Sequence, residues 1–175
     1  MKKLFVTTLL ALLISGGQAF AQKFAWVDTD YIMAQIPEYK QAQDELNKLS
    51  VQWQKEIEAK YAEIDKLYKN FQQDQLLLTE DLRKKREAEI VEKEKDAKDL
   101  QKQRFGVDGD LFKKRQELVK PIQDKVFNAV KELAELKSYA CVFDKSSDLT
   151  MLYTNAKYDM SEEVLEKMGY KKTGN

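Results

Sequence analysis

Histidine is absent from this chain, and cysteine occurs once, at Cys141. The first absence removes the commonest general base and the commonest metal ligand, so Ser-His-Asp and Cys-His nucleophile pairs and histidine zinc sites are excluded. The second excludes an intrachain disulfide and any multi-thiolate metal centre. Two prolines and six glycines in 175 residues leave little to interrupt a helix. Net charge is missing too, because 30 Lys and Arg balance 30 Asp and Glu, although 34% of residues are charged. No glycine-rich phosphate loop is present, and Asp, Glu, Lys and Tyr form no catalytic spacing. Neither an enzyme, a cofactor, a metal site nor a nucleic-acid partner is expected.

What is there begins with an address. Lys2 and Lys3 precede an apolar run at 4–14, and Ala19-Phe20-Ala21 is a small-x-small site before Gln22. This reads as a secretory signal peptide, 1–21, cleaved after Ala21. The run falls short of the roughly 20 residues a bilayer span needs. Losing Lys2 and Lys3 leaves 28 positive against 30 negative charges, net −2. With no disulfide pair and a lysine-bearing leader, the bacterial periplasm is the expected compartment.

The pattern of the remaining chain predicts an α+β fold that is mostly α. The run KFAWVD at 23–28 is strand-like, with Asp28 placed to cap a helix from Thr29. Pro37 suits the first turn of a long helix. Along that helix Leu46, Leu49, Trp53, Ile57, Tyr61, Ile64, Tyr68 and Phe71 recur about every 3.6 residues, as one face does. The periodicity lapses at Leu76-Leu77-Leu78, and Thr79 with two following acids opens a second long helix, expected to run over 80–137 with a kink at Pro121. Of the 22 residues at 83–104, 15 are charged, so this stretch cannot bury a core of its own. Leu118, Val119, Ile122, Val126, Val130, Leu133 and Leu136 then restore an apolar stripe. Tyr139 to Phe143 and 149–154 read as two more strands. Ser161 is the expected N-cap of a last helix, and Gly169 its C-terminal stop.

If the three strands meet, the helices between them must leave the body and return as an antiparallel hairpin, an arm of roughly 60–85 Å at about 1.5 Å per residue. The expected organisation is a β/α body, 22–36 with 118–175, and an arm, 37–117. One chain offers only short strands with open edges, so the body should self-associate. Phe24, Trp26, Val27, Val142, Phe143, Leu152 and Tyr153 are the candidate oligomerisation residues.

This order of elements, with KFAWVD and IPEYKQAQDEL at the start, LVKPIQDKVFNAVKELA before the second strand, and YACVFDKSSDLTMLY followed by DMSEEVLEKMGY at the end, resembles the Skp/OmpH family of periplasmic chaperones. The resemblance covers essentially the whole mature chain. It implies a homotrimer whose strands form a central barrel and whose arms enclose a cavity for unfolded outer-membrane proteins, without ATP. Familiar members are strongly basic, whereas this mature chain is slightly acidic. Arg83, Lys84, Lys85 and Arg86 form a local basic cluster next to the turn, a candidate contact for client charge or for anionic lipid; its plainer reading is a solvated helix face.

A reversal near residue 78 sets position i opposite 157 − i, so the aromatic stripe of the first helix meets the charged stretch of the second. Trp53, Ile57, Tyr61, Ile64, Tyr68 and Phe71 are therefore expected to be incompletely covered and are the candidate client-binding residues. The competing reading makes them an ordinary seam finished by Lys and Arg stems. A coiled-coil spacer or adaptor that binds one folded partner in the envelope is the alternative function. Gly106 and Gly109 are read as a hinge or as a point of close packing opposite Lys48 and Leu49. Cys141, between Ala140 and Val142, is expected to be buried and inert. Asp144, Asp148 and Asp159 lack the spacing of a calcium loop and are assigned to turns.

Overall fold

The structure, a computed structural model, describes residues 22–147 and 150–170; the signal-peptide reading of 1–21 lies outside them. Strand β1 (Lys23–Val27) leads into helix α1 (Thr29–Gln35), and the Asp28 carboxylate accepts from the Tyr31 N–H as its cap. Pro37 opens α2 (Pro37–Asp74), where its missing N–H costs nothing. The chain reverses over 75–78. The Thr79 hydroxyl accepts from the Leu82 N–H to start α3 (Glu80–Phe105), with Glu80 and Asp81 in the first turn.

The expected single helix over 80–137 is two. It stops at Phe105 and resumes as α4 (Asp110–Lys137), which continues through Pro121. The break has a steric cause. A Cβ at Gly106 would lie 2.4 Å from the Lys102 carbonyl oxygen, and one at Gly109 2.8 Å from that of Gln103. The two glycines let the chain fold tightly over the last carbonyls of α3, and the close packing is with α3 itself rather than with Lys48 and Leu49.

Strand β2 (Tyr139–Asp144) pairs parallel to β1, with Ala25 opposite Val142 and Trp26 opposite Phe143. A parallel pair needs a crossover, and here the whole hairpin is that crossover. The sheet has two strands among the described residues, not the expected three. Of the expected strand 149–154, Leu149 lies outside the described residues and 150–154 form no strand; the edge of β1 away from β2 is taken instead by 159–160, where Trp26 bridges Asp159 and the Met160 N–H donates to the Trp26 carbonyl at 2.9 Å.

Helix α5 (Ser161–Lys167) is docked by polar groups. The Asp28 N–H donates to Ser161 Oγ, whose hydroxyl donates to Asp159 at 2.6 Å. Ser161 is thus the first helical residue, and Asp159 rather than Ser161 supplies the capping oxygen. Gly169, at φ +88°, ends the helix in a Schellman arrangement: its N–H donates to the Glu166 carbonyl and that of Tyr170 to the Leu165 carbonyl.

The main core joins Ala25, Val27, Ile32, Ile36, Val126 and Val164 with further apolar residues of α1, α2, α4 and α5. It takes in Ala42 and Leu46 of α2, so packing of the body continues past residue 37. A second, smaller cluster of Ile64, Ile90 and Ala97 holds α2 against α3 in the distal arm.

Candidate functional site

The register expected for the hairpin places Lys93 beside Ile64 and Arg104 beside Trp53. Lys93 pairs with Glu63 at 3.1 Å, one residue away, and the Arg104 guanidinium lies 4.8 Å above the Trp53 ring. Two antiparallel helices of similar length leave little freedom once the turn is placed.

Within that register the stripe of α2 divides. Trp53, Ile57 and Ile64 are buried in the seam, and Phe71 packs half-covered against Ile64 and Ile90. Tyr61 and Tyr68 stay 38% and 49% exposed. Arg104 covers Trp53, as long cationic side chains do, but no such stem closes over the two tyrosines; the Tyr61 hydroxyl reaches only Gln101, at 3.5 Å. The single stripe is therefore a seam with an open flank beside it.

That flank has a consistent chemistry. Steps of seven or eleven residues return to within about 20° on an α-helix, which lines up Gln43, Ser50, Gln54, Tyr61, Tyr68 and Gln72. None is charged, in a chain where 34% of residues are. Outside this line, Leu76 and Leu77 stand 89% and 86% exposed at the hairpin tip, and Val51 and Val91 are exposed on the arm. Sequence reasoning assigned no role to these four. The triple leucine inside a turn was the available signal.

The basic cluster is partly compensated. Arg83 and Lys84 both lie near Glu80, at 3.6 and 3.7 Å, and Arg86 pairs with Glu89 at 3.1 Å. Such exposed pairs contribute little stability, and with two carboxylates set against four cations they offset only part of the positive field.

A second exposed surface lies on the outer face of the sheet. Parallel register puts Phe24, Trp26, Cys141 and Phe143 on this face and turns Ala25, Val27 and Val142 inward. Val27 is buried in the core and Val142 packs against it, so both hold the body together rather than face outward. The Phe24 and Phe143 rings lie 6.2 Å apart. Leu152 and Tyr153 are 96% and 82% exposed. Together with Met151 and Tyr158, which sequence reasoning passed over, these aromatics line an open depression of about 670 Å³. Cys141 is exposed, not buried, because among the described residues nothing covers it on this face of the sheet.

Asp144 fastens the sheet end. Burial raises its pKa, but hydrogen bonds from the Thr29 hydroxyl at 2.7 Å, from Ser146 and from both backbone N–H groups outweigh that and hold the carboxyl below its usual range. Asp144 and Asp159 thus cap and tie turns, and Asp148 lies outside the described residues.

The family model for outer membrane protein (OmpH-like) matches residues 23–168. An uncharacterized protein of Aquifex aeolicus (strain VF5) is 33% identical over 169 residues, 96% of each chain. The crystal structure of a proposed outer membrane chaperone (OmpH-like) from Caulobacter crescentus CB15 has a TM-score of 0.67 over 91% of both chains at 11% identity, a likeness of fold.

Proposed function

The chain belongs to the family of OmpH-like outer membrane proteins, and on that premise we propose that it is an ATP-independent holdase chaperone of the periplasm. Its clients are unfolded outer-membrane proteins, held between the arms of a homotrimer and kept from aggregating. Residues 1–21 then serve as the export signal.

The observation that carries this reading is the uncharged flank of α2. Strands destined for an outer-membrane barrel alternate apolar and polar residues. Tyrosine rings offer such a chain apolar area and a hydroxyl, and glutamine amides offer hydrogen bonds to its backbone, with no charge to desolvate. Each contact is weak, and many along one strip give useful avidity while leaving each exchangeable. The partly compensated basic cluster is a secondary contact for acidic clients or anionic lipid. Self-association draws on the outer face of the sheet, through Phe24, Trp26, Phe143, Leu152 and Tyr153, and on the outer edge of β2, which has no partner strand among the described residues.

Solution mass, measured beside light scattering of an outer-membrane protein diluted from denaturant, tests the proposal. A trimer that suppresses scattering of several unrelated unfolded clients is expected. A monomer without suppression would overturn it, and binding of one folded partner alone would identify a spacer instead.

A further inference from the structure

The two sides of the hairpin seam are unlike. On one side of the buried Trp53, Ile57 and Ile64, steps of seven and eleven residues line up Glu45, Glu56, Glu63 and Asp74 along α2. The same steps line up Arg86, Lys93 and Arg104 along α3. The acidic line meets the basic one. Lys93 reaches Glu63 at 3.1 Å, Arg104 reaches Glu56 at 3.5 Å, and Arg86 and Asp74 line one small hollow by the turn. Arg104 also lies over the Trp53 ring, so long side chains close this side as well as charge.

The other side is the uncharged line of α2 from Gln43 to Gln72. Both ion pairs that α2 and α3 make among the described residues belong to the acidic side. On the uncharged side the two helices are joined instead by the Tyr61 to Gln101 contact. The adjoining line of α3 is Arg83, Glu87, Glu94, Lys98, Gln101 and Phe105, whose two cations and two anions sum to zero. The arm therefore carries an ionic zipper on one side and an open strip without net charge on the other.

That contrast bears on what the strip can select. A charged surface draws chains of opposite sign from about a Debye length away, and salt removes the attraction. A neutral strip gains nothing in this way. Its contacts are with apolar side chains and with backbone N–H and carbonyl groups, which every unfolded chain carries and salt does not screen. The occupant matched to it in charge is an extended segment of alternating apolar and uncharged polar residues, because neither surface then has an ion to desolvate. Charged loops of the same client stay in water.

We propose that the arm captures chains on this one side and selects them by their uncharged strand segments, blind to the net charge of the client. Selection of this kind takes the holdase reading as its premise and adds the chemistry that the site reads. Acidic and basic outer-membrane proteins are then equally good clients, and the basic cluster near the tip contributes only a small remainder.

Binding of two fluorescently labelled unfolded outer-membrane proteins, one acidic and one basic, tests this between about 0.01 M and about 1 M sodium chloride, where the Debye length falls from about 30 Å to about 3 Å. Apparent affinity should change by less than about threefold with salt and by less than about threefold between the clients. Gln54→Lys with Gln72→Lys, both at exposed positions, should tighten the acidic client about fivefold at about 0.1 M salt, with helicity unchanged, and lose that gain at high salt. Gln54→Glu with Gln72→Glu should do the same for the basic client. On the closed side, Gln52→Lys with Asn70→Lys should move affinity by less than about twofold at about 0.1 M salt, where the Debye length is about 10 Å. A larger loss with salt in the native protein, or capture of clients of one sign alone, overturns charge-blind selection and leaves the holdase reading standing. Equal effects of lysines on the two sides overturn one-sided capture. Failure to bind either client at any salt overturns the holdase reading and this selection with it.

Discussion

In the body, fifteen buried apolar residues from five elements and the connections between them share one core, whereas the distal arm rests on Ile64, Ile90 and Ala97 with Leu67 and Phe71 leaning on them. Composition is part of the difference, since 15 of the 22 residues at 83–104 are charged, and geometry is the rest. Body elements converge from several directions, so each side chain is enclosed on all sides. Two helices side by side can enclose only a single line of residues, and everything beside that line stays wet. A two-helix arm is therefore obliged to leave flanks open, and this chain has kept charge off one of them. Stability collects in the body and contact surface in the arm.

The sharpest way to break this contrast is to delete the same atoms in each region. Ile32, fully buried in the body, and Ile90, in the arm, are both replaced by alanine. The Ile32→Ala change should cost about 2–5 kcal/mol of global stability in denaturant unfolding. Ile90→Ala should leave the body transition within about 1 kcal/mol of native, because the distal arm opens before the body does. The chain has two tryptophans, Trp26 in strand β1 of the sheet and Trp53 at the base of the arm, so single-tryptophan variants follow each region separately. Equal costs at the two sites would erase the distinction.

Hydrogen exchange sharpens the same contrast without substitution. Amides of α3 and the facing part of α2 should exchange at least about tenfold faster than those of α1 and the C-terminal half of α4. Uniform protection from body to tip would contradict a locally weak arm.

Asp144 offers a smaller effect that belongs to the body alone. Its folded pKa lies below the unfolded value of about 3.9, so its contribution is present above that pH and is lost as the pH falls through the folded value. Asp144→Asn should cost about 1 kcal/mol at pH 7. The gap to the native protein should close as acid titration proceeds below about pH 4. A gap independent of pH would mean that the carboxylate's charge is not what Thr29 and Ser146 hold.

Legibility in the sequence followed the range of the interactions. Asp28, Pro37, Thr79 and Gly169 act on N–H and carbonyl groups within a few residues, and each sits where its local chemistry placed it. The hairpin register was equally readable, because one turn fixes two rigid rods. The glycine break was seen as a weak point but not as an end to the helix, since that depends on what folds over the Lys102 and Gln103 carbonyls. The third strand failed over its described part, 150–154, because alternation states which side chains could be covered, not whether the backbone meets a strand edge. The expected burial of Cys141 failed for a similar reason, as burial requires a second layer that the described residues do not supply. The stripe of α2 was found whole, yet its division into seam and flank turns on some 60° of helix rotation, finer than a count of apolar positions resolves.

The least destabilising change bears most directly on the central claim. Replacing Tyr61 and Tyr68 together by serine touches only exposed positions, so the stability shift should stay within about 0.5 kcal/mol per site, with helicity and solution mass unchanged. If the uncharged flank of α2 is where unfolded chains are held, suppression of aggregation of an unfolded outer-membrane protein should fall in a graded way in this variant while the assembly stays intact. Full suppression by a variant of unchanged helicity would contradict the assignment of the flank.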